Sequence, residues 1–477
     1  MIFQSARVVL AVVELAAMGA LAVLEGLSGS TNAASRAPRC VVLRAATYSA
    51  SLRPDITDSV LAAAAREQCV ELAAGHYELR SVTVKRGIVD IRGAGAANTT
   101  IHAAVSESSK VNADGALLDV IATTMRLSGL TINGASLTSN SGAEPHAADR
   151  PRSIIRWLGV QPAKTANITG VAFERCPQVC MFAAELHDSL VISQSAFGLL
   201  PVTRADRQSY EVVVRNDAAA LGRSDRAYVF ISGNEFINAD SGSCAPRPSA
   251  GGIFLYAARG AAPMNPTIEN NAFDCLGGSD PHSPVGAVEL YAHVDNARIV
   301  SNRFTRSRYV AIKIAASSHI AITGNRIADS DTSAAVPAIG ITGCIRGPAY
   351  CTSAPSDWRI DSNIVVGFGS RSSAFRVLGG YRMARSASLD AVLEDCGKGR
   401  TANAQLVCVD SAGKIAEPYY VHGVRVRWNR IERVEGSSGS FAAIELDNLA
   451  LPVVTGNHTQ GPWHAIFKAR ADSARRP

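Results

Sequence analysis

The chain has 477 residues, of which 47% are hydrophobic and 18% charged, as in a soluble globular protein. Its formal net charge is +6 without a basic stripe carrying interleaved aromatic residues, which argues against nucleic acid as a partner and fits an acidic glycan. With 39 glycines and only 6% aromatic residues, we expect a core of small and β-branched side chains, which suits stacked strands better than helices.

The N-terminus has the pattern of an export signal. Arg7 precedes an apolar run over residues 8–27, and small polar residues follow as far as Ser35. We therefore predict a signal peptide over residues 1–35 and an exported protein, whether periplasmic, cell-surface or secreted. Glu14 and Glu25 interrupt the apolar run, so an uncleaved membrane anchor is the alternative. No later segment is apolar for long enough to cross a bilayer, so no further membrane contact is expected.

Ten cysteines fall into couples whose members lie near each other in the sequence. An even number behind an export signal favours disulfides and an oxidising compartment. Zinc is the competing interpretation, but the ligand spacing that zinc sites use is absent from the sequence. The couples are Cys40 with Cys69, Cys176 with Cys180, Cys244 with Cys275, Cys344 with Cys351, and Cys396 with Cys408.

Residues 36–110 are predicted to form an N-terminal cap and the first coils of a solenoid. A helix is expected from about Thr57 to Glu67, followed by a strand, a glycine turn and further strands punctuated by glycine. Such a helix would cover the exposed strand edge at the open end of the solenoid.

Residues 111–470 carry a repeated motif in which a turn-forming residue, usually asparagine, is followed two places later by an apolar residue. Its spacings of 37, 31, 23, 38, 66 and 28 residues predict coils of three short strands with loops inserted at the corners. The 66-residue interval is expected to hide either a second coil or a large insertion. An asparagine at the same corner of each coil is expected to hydrogen-bond along the stack. The asparagines are Asn234, Asn271, Asn302, Asn325, Asn363, Asn429 and Asn457.

Strands of alternating polarity lie between these motifs, so successive side chains are expected to point alternately to the core and to solvent. The residues predicted to point inward are Ile253, Leu255, Val288, Leu290, Ile312, Ile314, Ile339, Ile341, Phe375, Val377, Ile444 and Leu446. The outward residues are expected to form two columns with one residue from each coil. The first column is Phe254, Glu289, Lys313, Gly340, Arg376 and Glu445, and the second is Tyr256, Tyr291, Ala315, Thr342, Leu378 and Asp447.

The helix-first beginning and the repeated Gly-Asn corners make the chain resemble the pectate-lyase-like superfamily over nearly all of its mature length. The resemblance implies an all-β fold, a single-stranded right-handed parallel β-helix with an N-terminal capping helix. It also implies glycan binding along one strand face. Because the superfamily includes polysaccharide lyases, glycoside hydrolases, uronan epimerases and non-catalytic members, the reaction must be inferred from this chain's own residues.

The best candidate site is the pair of outward columns. Tyr256 and Tyr291 are expected to lie one above the other as a flat platform for a sugar ring, with Arg376 and His282 as further substrate-binding residues. A polysaccharide is therefore the expected partner, and we expect the protein to act as a monomer. The alternative is that the two tyrosines are mere cross-strand packing.

The candidate catalytic residues are adjacent to this platform. A lyase acting on a uronate needs a cation to neutralise the carboxylate, a base for the C5 proton and an acid for the leaving oxygen. Lys313 or Arg308 could neutralise the carboxylate of the uronate, and His293 or Tyr291 could transfer protons. Glu289 is expected to lie beside Lys313. The alternative for that last pair is a surface ion pair without a role in catalysis.

Two local resemblances bear on the type of reaction. Residues 286–314 look like the central coils of the alginate-lyase and chondroitinase B family, in which Glu289 matches the acidic position. His293 and Ala315 stand near the positions where that family has lysine and arginine, which departs from its pattern. Residues 280–282, with the sequence Asp-Pro-His, are similar to the DPH motif of mannuronan C5-epimerases, although they lie in an inserted loop rather than on a strand.

Other chemistry stays open at this stage. Inverting hydrolysis needs two carboxylates, and Asp240 with Asp274 or Glu289 could supply them. Calcium held by Asp274, Asp280, Glu289 or Asp295 is chemically possible, with Asp280 and Asp274 as the first candidates, because calcium prefers oxygen ligands. We predict an exported carbohydrate-active protein, with lyase or epimerase chemistry ahead of hydrolysis. The alternative is a non-catalytic polysaccharide-binding or cell-envelope scaffold protein.

Overall fold

The structure is a computed structural model of the chain. It describes residues 40–45, 53–104, 115–121, 123–135, 137, 153–159, 165–186, 188–199, 209–216, 227–237, 244, 250–258, 261, 263–277, 285–307, 309–328, 337–344, 356–369, 372–382, 417–418, 421–433, 441–447, 449–463 and 465–470. The predicted signal segment, residues 1–35, lies outside the described residues.

Short strands make up almost all of the described secondary structure. The helix is α1 (Thr57–Ala65), and the strands are β1 (Val41–Leu43), β2 (Val70–Leu72), β3 (Gly75–Leu79), β4 (Val82–Val84), β5 (Ile88–Gly93), β6 (Thr99–Ala103), β7 (Ala116–Ile121), β8 (Thr124–Asn133), β9 (Ser153–Leu158), β10 (Ala166–Cys176), β11 (Val179–Ala184), β12 (Ser189–Ser193), β13 (Ala196–Leu199), β14 (Ser209–Asn216), β15 (Ala227–Ser232), β16 (Glu235–Ile237), β17 (Ala250–Ala257), β18 (Met264–Glu269), β19 (Ala272–Asp274), β20 (Val288–Tyr291), β21 (Arg298–Val300), β22 (Arg303–Thr305), β23 (Ile312–Ala315), β24 (Ala321–Thr323), β25 (Arg326–Ala328), β26 (Ile339–Cys344), β27 (Arg359–Asp361), β28 (Ile364–Phe368), β29 (Phe375–Arg382), β30 (Glu417–Pro418), β31 (Arg425–Arg427), β32 (Arg430–Arg433), β33 (Ala442–Asp447), β34 (Val453–Thr455), β35 (His458–Gln460) and β36 (Ala465–Arg470).

The strands form two long parallel sheets that wind as a right-handed parallel β-helix, as predicted. The first sheet has 23 strands and the second has 13. A typical coil contributes one strand to the second sheet and two to the first; for example, β20 is followed by β21 and β22, and β23 then begins the next coil. In such coils each strand pairs with its counterpart three strands later, and equivalent residues of successive coils lie about 4.8 Å apart.

The predicted asparagine ladder is present at the corner between the two first-sheet strands of each coil. The side-chain Oδ1 of Asn302 accepts hydrogen bonds from the backbone N–H and the Nδ2 of Asn271, both at 3.0 Å. The Nδ2 of Asn302 donates to Asn325 Oδ1 and to the carbonyl of Ile268. The same pattern runs from Asn234 to Asn457, which satisfies polar groups that the tight corner would otherwise bury unpaired.

This ladder also settles the 66-residue interval. Asn363 donates directly to Asn429 Oδ1 at 3.0 Å, and β27 pairs with β31 while β28 pairs with β32. The two coils are therefore neighbours, and the interval contains an insertion rather than a further coil.

The core lies between the two sheets and consists of stacked side chains of like kind. All twelve residues predicted to point inward are buried in one continuous hydrophobic cluster. Along the first sheet, aromatic rings of successive coils stack with centroids 4.7–4.9 Å apart, because each coil places its ring directly above the last. The stacked residues are Phe173, Phe197, Phe236, Phe273 and Phe304.

The helix α1 packs against the first coils through its apolar side. Val60, Ala63 and Ala64 are buried in the core cluster, and the helix backbone lies on Gly87. A Cβ at Gly87 would stand 1.8 Å from the carbonyl oxygen of Ala64, so only glycine permits this approach. The helix ends two residues before its predicted limit at Glu67. That it caps the open end of the solenoid stays a prediction.

Three of the predicted disulfides are present: Cys40–Cys69, Cys176–Cys180 and Cys244–Cys275. The two other couples include Cys351, Cys396 and Cys408, which lie outside the described residues. Within the described part of the chain, no helix has the length and hydropathy that a membrane span requires.

Several carboxyl groups are buried in the solenoid, and one of them, Glu211, has a raised pKa. Glu211 in β14 is fully buried, and this burial raises its pKa well above the ordinary value, while the backbone N–H of Ile237 opposes the shift. The folded protein therefore binds a proton that the unfolded chain releases in the ordinary glutamate range. From that pH upward to the raised pKa, stability must fall as pH rises, by about tenfold in the unfolding equilibrium constant per pH unit.

We accordingly expect Glu211→Gln to flatten the pH dependence of stability, because a neutral amide has no proton to lose. Urea denaturation at pH 5 and pH 8 followed by circular dichroism measures this. The matched control is Glu71→Gln, since Glu71 is exposed in β2. Equal pH dependence in wild type and Glu211→Gln would mean that Glu211 is not the group responsible.

Candidate functional site

The outward side of the second sheet carries the two predicted columns in the predicted register. Glu289 in β20 pairs with Phe254 of the preceding strand and with Lys313 of the following one. Tyr256 and Tyr291 are likewise in direct register. The columns continue through β26, β29 and β33, where Gly340, Arg376 and Glu445 follow Lys313.

Glu289 is the centre of a hydrogen-bonded chain. Its Oε1 accepts from Lys313 Nζ at 2.6 Å and its Oε2 accepts from Tyr210 OH at 2.8 Å. Only 2% of the Glu289 side chain is exposed, against 25% for Lys313. The carboxylate is therefore removed from solvent, and the cation that it holds in place is the part of the pair that an incoming ligand can touch.

Tyr210 is a member of this chain that reasoning from the sequence missed. It lies in β14, two coils before Glu289, in register with Gly251 of β17. A Cβ at Gly251 would stand 2.4 Å from the Tyr210 ring, so the missing side chain lets the ring extend toward Glu289. The Gly251–Gly252 pair at the start of β17 was the available signal.

Burial and the neighbouring Glu289 carboxylate both raise the pKa of Tyr210 well above its ordinary value. Tyr210 therefore keeps its proton and acts as a hydrogen-bond donor to Glu289. Because it is wholly buried, it positions Glu289 and cannot itself reach a ligand. Neither Tyr210 nor Glu289 is placed to serve as a base.

The tyrosine platform, Tyr256 with Tyr291, is present and partly exposed. Its two rings are stacked with centroids 6.1 Å apart and planes inclined by 25°. Behind it lies an apolar cluster on the outward side of the sheet that includes Phe254 and Tyr210. Arg215, one coil earlier, places its guanidinium 5.7 Å from the Tyr256 ring centroid. Extending the second column by one strand would have predicted Arg215.

Beyond Lys313 the outward positions carry short side chains. Ala315, Gly340 and Thr342, here called the small-residue floor, are partly exposed in β23 and β26. Gly340 separates Lys313 from Arg376 by two strand spacings, about 9.6 Å. In the first column, Lys313 therefore lies on one side of Gly340 and Arg376 on the other, and Gly340 has no side chain. The tyrosine platform lies next to these residues.

The Arg376 side chain is oriented by the carboxylate of Glu445. Its Nε donates to Glu445 Oε2 at 3.0 Å, and Ser373 Oγ reaches the same oxygen at 3.3 Å. The Arg376 side chain is 36% exposed, more than Lys313. Arg376 and Lys313 therefore share one arrangement, in which a less exposed carboxylate orients a more exposed cation.

An ion pair earlier in the same column differs in this respect. Asp119 and Arg156 are in register between β7 and β9, and Arg156 Nε donates to Asp119 Oδ1 at 2.7 Å. Arg156 is completely buried, so this pair has no cation within reach of a ligand. We interpret it as a structural pair.

His293 lies in the turn directly after β20, in a left-handed backbone conformation with φ of 36°. It is partly exposed and follows Tyr291 by two residues. Its role in proton transfer stays a prediction.

Four candidate residues lie outside the described residues: Arg308, His282, Asp280 and Asp240. Asp274 does not belong to this face, so it is not a neighbour of Glu289, and its role as a calcium ligand with Asp280 stays a prediction. It ends β19 in the first sheet, where it accepts hydrogen bonds from Thr305 and Arg306, and these lower its pKa against the effect of burial. No group of three or more potential metal ligands is found within the described ranges.

The sequence matches no protein-family profile, and no curated protein matches it. Among solved structures, the chain is similar to the catalytic domain of a GH87 alpha-1,3-glucanase in complex with nigerose. The identity is 12%, the alignment covers 94% of this chain and 70% of that chain, and the TM-score is 0.51. At this identity the similarity concerns the fold.

Two alginate-modifying enzymes are also similar in structure. The periplasmic alginate epimerase AlgG, as a double mutant, has 10% identity over 83% of this chain and 77% of that chain, with a TM-score of 0.42. The A-module of the Azotobacter vinelandii mannuronan C-5 epimerase AlgE6 has 11% identity over 88% and 92%, with a TM-score of 0.44.

Proposed function

We propose that this chain is an exported protein that binds an acidic polysaccharide across the outward face of the second sheet and removes the C5 proton of a uronate unit. Its product would be that of a lyase or of an epimerase. The observation that carries the proposal is Lys313, a partly exposed cation held by a buried carboxylate beside an aromatic platform. The three disulfides support an oxidising compartment.

The proposed binding mode follows from the sizes of the outward side chains. A sugar ring stacks on Tyr256 and Tyr291, and the next unit of the polymer lies over the small-residue floor between Lys313 and Arg376. A uronate carboxylate there is within reach of two cations, which is the recognition that an acidic polymer needs. The glucanase of the same fold, solved with nigerose bound, supports a glycan as the class of ligand.

The proposed chemistry assigns Lys313 to neutralise the uronate carboxylate, which stabilises the carbanion formed when the C5 proton leaves. Tyr291 or His293 takes that proton. In a lyase the electron pair forms the C4–C5 double bond and expels the C4 oxygen, which takes a proton from the other of these two residues or from water. In an epimerase a proton returns to C5 from the other side, and the C4–O bond stays intact. Glu289 and Tyr210 keep Lys313 in position.

Hydrolysis receives less support from this face. It needs two carboxyl groups on opposite sides of the scissile bond. The described carboxylates of the two columns are Glu289, Glu445 and Asp447, and the last two lie in β33, four strand spacings from Glu289. Glu289 is buried and bonded to two partners, and Glu445 is bonded to Arg376. Neither is available to a sugar without breaking its present bonds.

The test is to incubate the full-length protein with alginate, polygalacturonate and dextran, with and without calcium. Ultraviolet absorbance of an unsaturated product would establish elimination, and a changed C5 configuration in the proton NMR spectrum would establish epimerisation. Reducing ends without new absorbance would mean hydrolysis and would overturn the proposed chemistry.

The alternative function is a non-catalytic polysaccharide-binding or cell-envelope scaffold protein. The observation in its favour is that Glu289 and Lys313 form a complete ion pair, which a purely structural role would also explain. Glycan binding without any product in the three assays would establish this alternative.

The tyrosine platform makes a prediction that both functions share. The double variant Tyr256→Ala/Tyr291→Ala is expected to weaken polyuronate binding about tenfold, because each stacked ring contributes about 0.5–1.5 kcal/mol. Isothermal titration with alginate oligosaccharides measures this. The matched control is Tyr228→Ala, since Tyr228 is 57% exposed on the first sheet. Equal affinities of the double variant and the wild type would mean that the tyrosine platform does not bind the polysaccharide.

A further inference from the structure

The outward side of the first sheet carries a second ordered set of charges, away from the columns described above. Six exposed arginines, here called the arginine face, point outward from four successive coils. Over three strand spacings they extend for about 14 Å along the solenoid axis. They are Arg298 and Arg303, Arg326, Arg359, and Arg425 and Arg430.

Two pairs of these arginines are in direct register. Arg303 pairs with Arg326 between β22 and β25, and Arg359 pairs with Arg425 between β27 and β31. Like charges placed directly opposite each other on a sheet destabilise it unless a counter-charge lies between them.

The carboxylates of this face are too few to neutralise it. Asp361 bonds Arg359 and Arg427, and Glu432 bonds Arg430. Within the described residues, no ion pair joins a carboxylate to Arg298, Arg326 or Arg425. Arg303 interacts electrostatically with Asp274, which is hydrogen-bonded to Arg306 instead. The outward positions of the eight strands concerned, β21, β22, β24, β25, β27, β28, β31 and β32, hold seven arginines and two carboxylates. These outward positions therefore carry an excess of five positive charges.

An exposed aromatic ring stands at one end of the arginine face. Trp428, in the turn between β31 and β32, is 57% exposed, and the Arg427 guanidinium lies 4.4 Å from its ring centroid. The indole lies against Gly456 of the next coil, where a Cβ would be 2.3 Å from Trp428 Cδ1. A fixed indole beside guanidinium groups offers stacking to a sugar ring and hydrogen bonds to its carboxylate.

We propose that the arginine face is a second binding surface, separate from the candidate site, for an anionic polysaccharide that lies along the solenoid axis. The charges recur from coil to coil, so their natural counterpart is a polymer with a recurring negative charge. Guanidinium groups bind carboxylates through two parallel hydrogen bonds, and the like-charged pairs in register gain most from a carboxylate between them. This inference does not rest on the reaction proposed for the second sheet.

The test compares two triple variants of the full-length protein that lose the same charge. Arg303→Gln, Arg326→Gln and Arg425→Gln remove exposed cations of the arginine face. Arg66→Gln, Lys85→Gln and Arg86→Gln remove three exposed cations near α1 and β4. Affinity for immobilised alginate is measured for both and for the wild type, with dextran as the neutral polymer.

We expect the arginine-face variant to bind alginate about tenfold more weakly and the control variant to change less than about twofold. Dextran is expected not to bind at the arginine face. The same tenfold difference is expected in the Tyr256→Ala/Tyr291→Ala background, which separates this surface from the candidate site. Equal loss in the two triple variants, or no loss in either, would overturn the proposal.

Vesicles of phosphatidylglycerol and phosphatidylcholine provide a second arm, because Leu451 and Val453 are exposed near Arg425. Vesicle binding that depends on the three arginines, without alginate binding, would assign the face to a membrane surface and overturn the polysaccharide proposal.

Discussion

Replacing Lys313 with alanine is expected to lower kcat/KM on a polyuronate by about 100- to 1,000-fold, the usual effect of removing one group that stabilises charge in a transition state. The reason is that Lys313 is a partly exposed cation on the strand next to Tyr291, and its Nζ is held 2.6 Å from Glu289. The measurement is the initial rate of product formation on the uronan that proves to be the substrate.

This variant also leaves Glu289 buried without its cation, which by itself destabilises a protein by about 3–5 kcal/mol. The double variant Lys313→Ala/Glu289→Gln removes the buried charge as well, so we expect it to recover much of the stability and none of the activity. Arg156→Leu/Asp119→Leu, which replaces the buried pair in the same column, is the matched control and should retain activity. Full activity in Lys313→Ala would exclude Lys313 from the reaction.

Replacing Asn302 with alanine is expected to destabilise the solenoid by about 4 kcal/mol. The change removes the acceptor of two hydrogen bonds from Asn271 and the donor to Asn325 and Ile268, all of them buried. Each buried polar group left without a partner costs about 1–3 kcal/mol. A loss of this size is a large part of the stability of an ordinary domain. Chemical denaturation followed by circular dichroism measures it.

Asn296→Ala is the matched control. Asn296 is exposed and donates one hydrogen bond, to Asn265 Oδ1 at 3.0 Å, and its φ of 53° disfavours alanine, so its replacement is expected to cost about 1–2 kcal/mol, well below the cost at Asn302. Asn457, at the end of the ladder and only partly buried, is expected to give an intermediate loss. The ladder would be unimportant for stability if Asn302→Ala and Asn296→Ala unfolded at the same denaturant concentration.

The candidate site could be predicted in part. Residues on strands of regular length, such as Glu289, Lys313 and Tyr291, could be aligned between coils because a parallel ladder repeats with a fixed register. Tyr210 could not, because its contact with Glu289 spans two coils and crosses the sheet over Gly251. Asp274 and Glu289 were alternative carboxylates for hydrolysis, and a corner of the coil places them on different sheets.

What the sequence determined by itself is the coil. A period-two alternation, a corner asparagine and a ring two residues later specify which residues stack, because each interaction is between like residues at one strand spacing. What only the tertiary structure decided is how the columns combine across the sheet. Three features are of this kind: Lys313 is exposed while Glu289 is buried, Tyr210 reaches Glu289, and the arginines gather on the first sheet. They depend on bulges, corners and the lengths of the intervening loops. A local sequence pattern gives no distances across these elements.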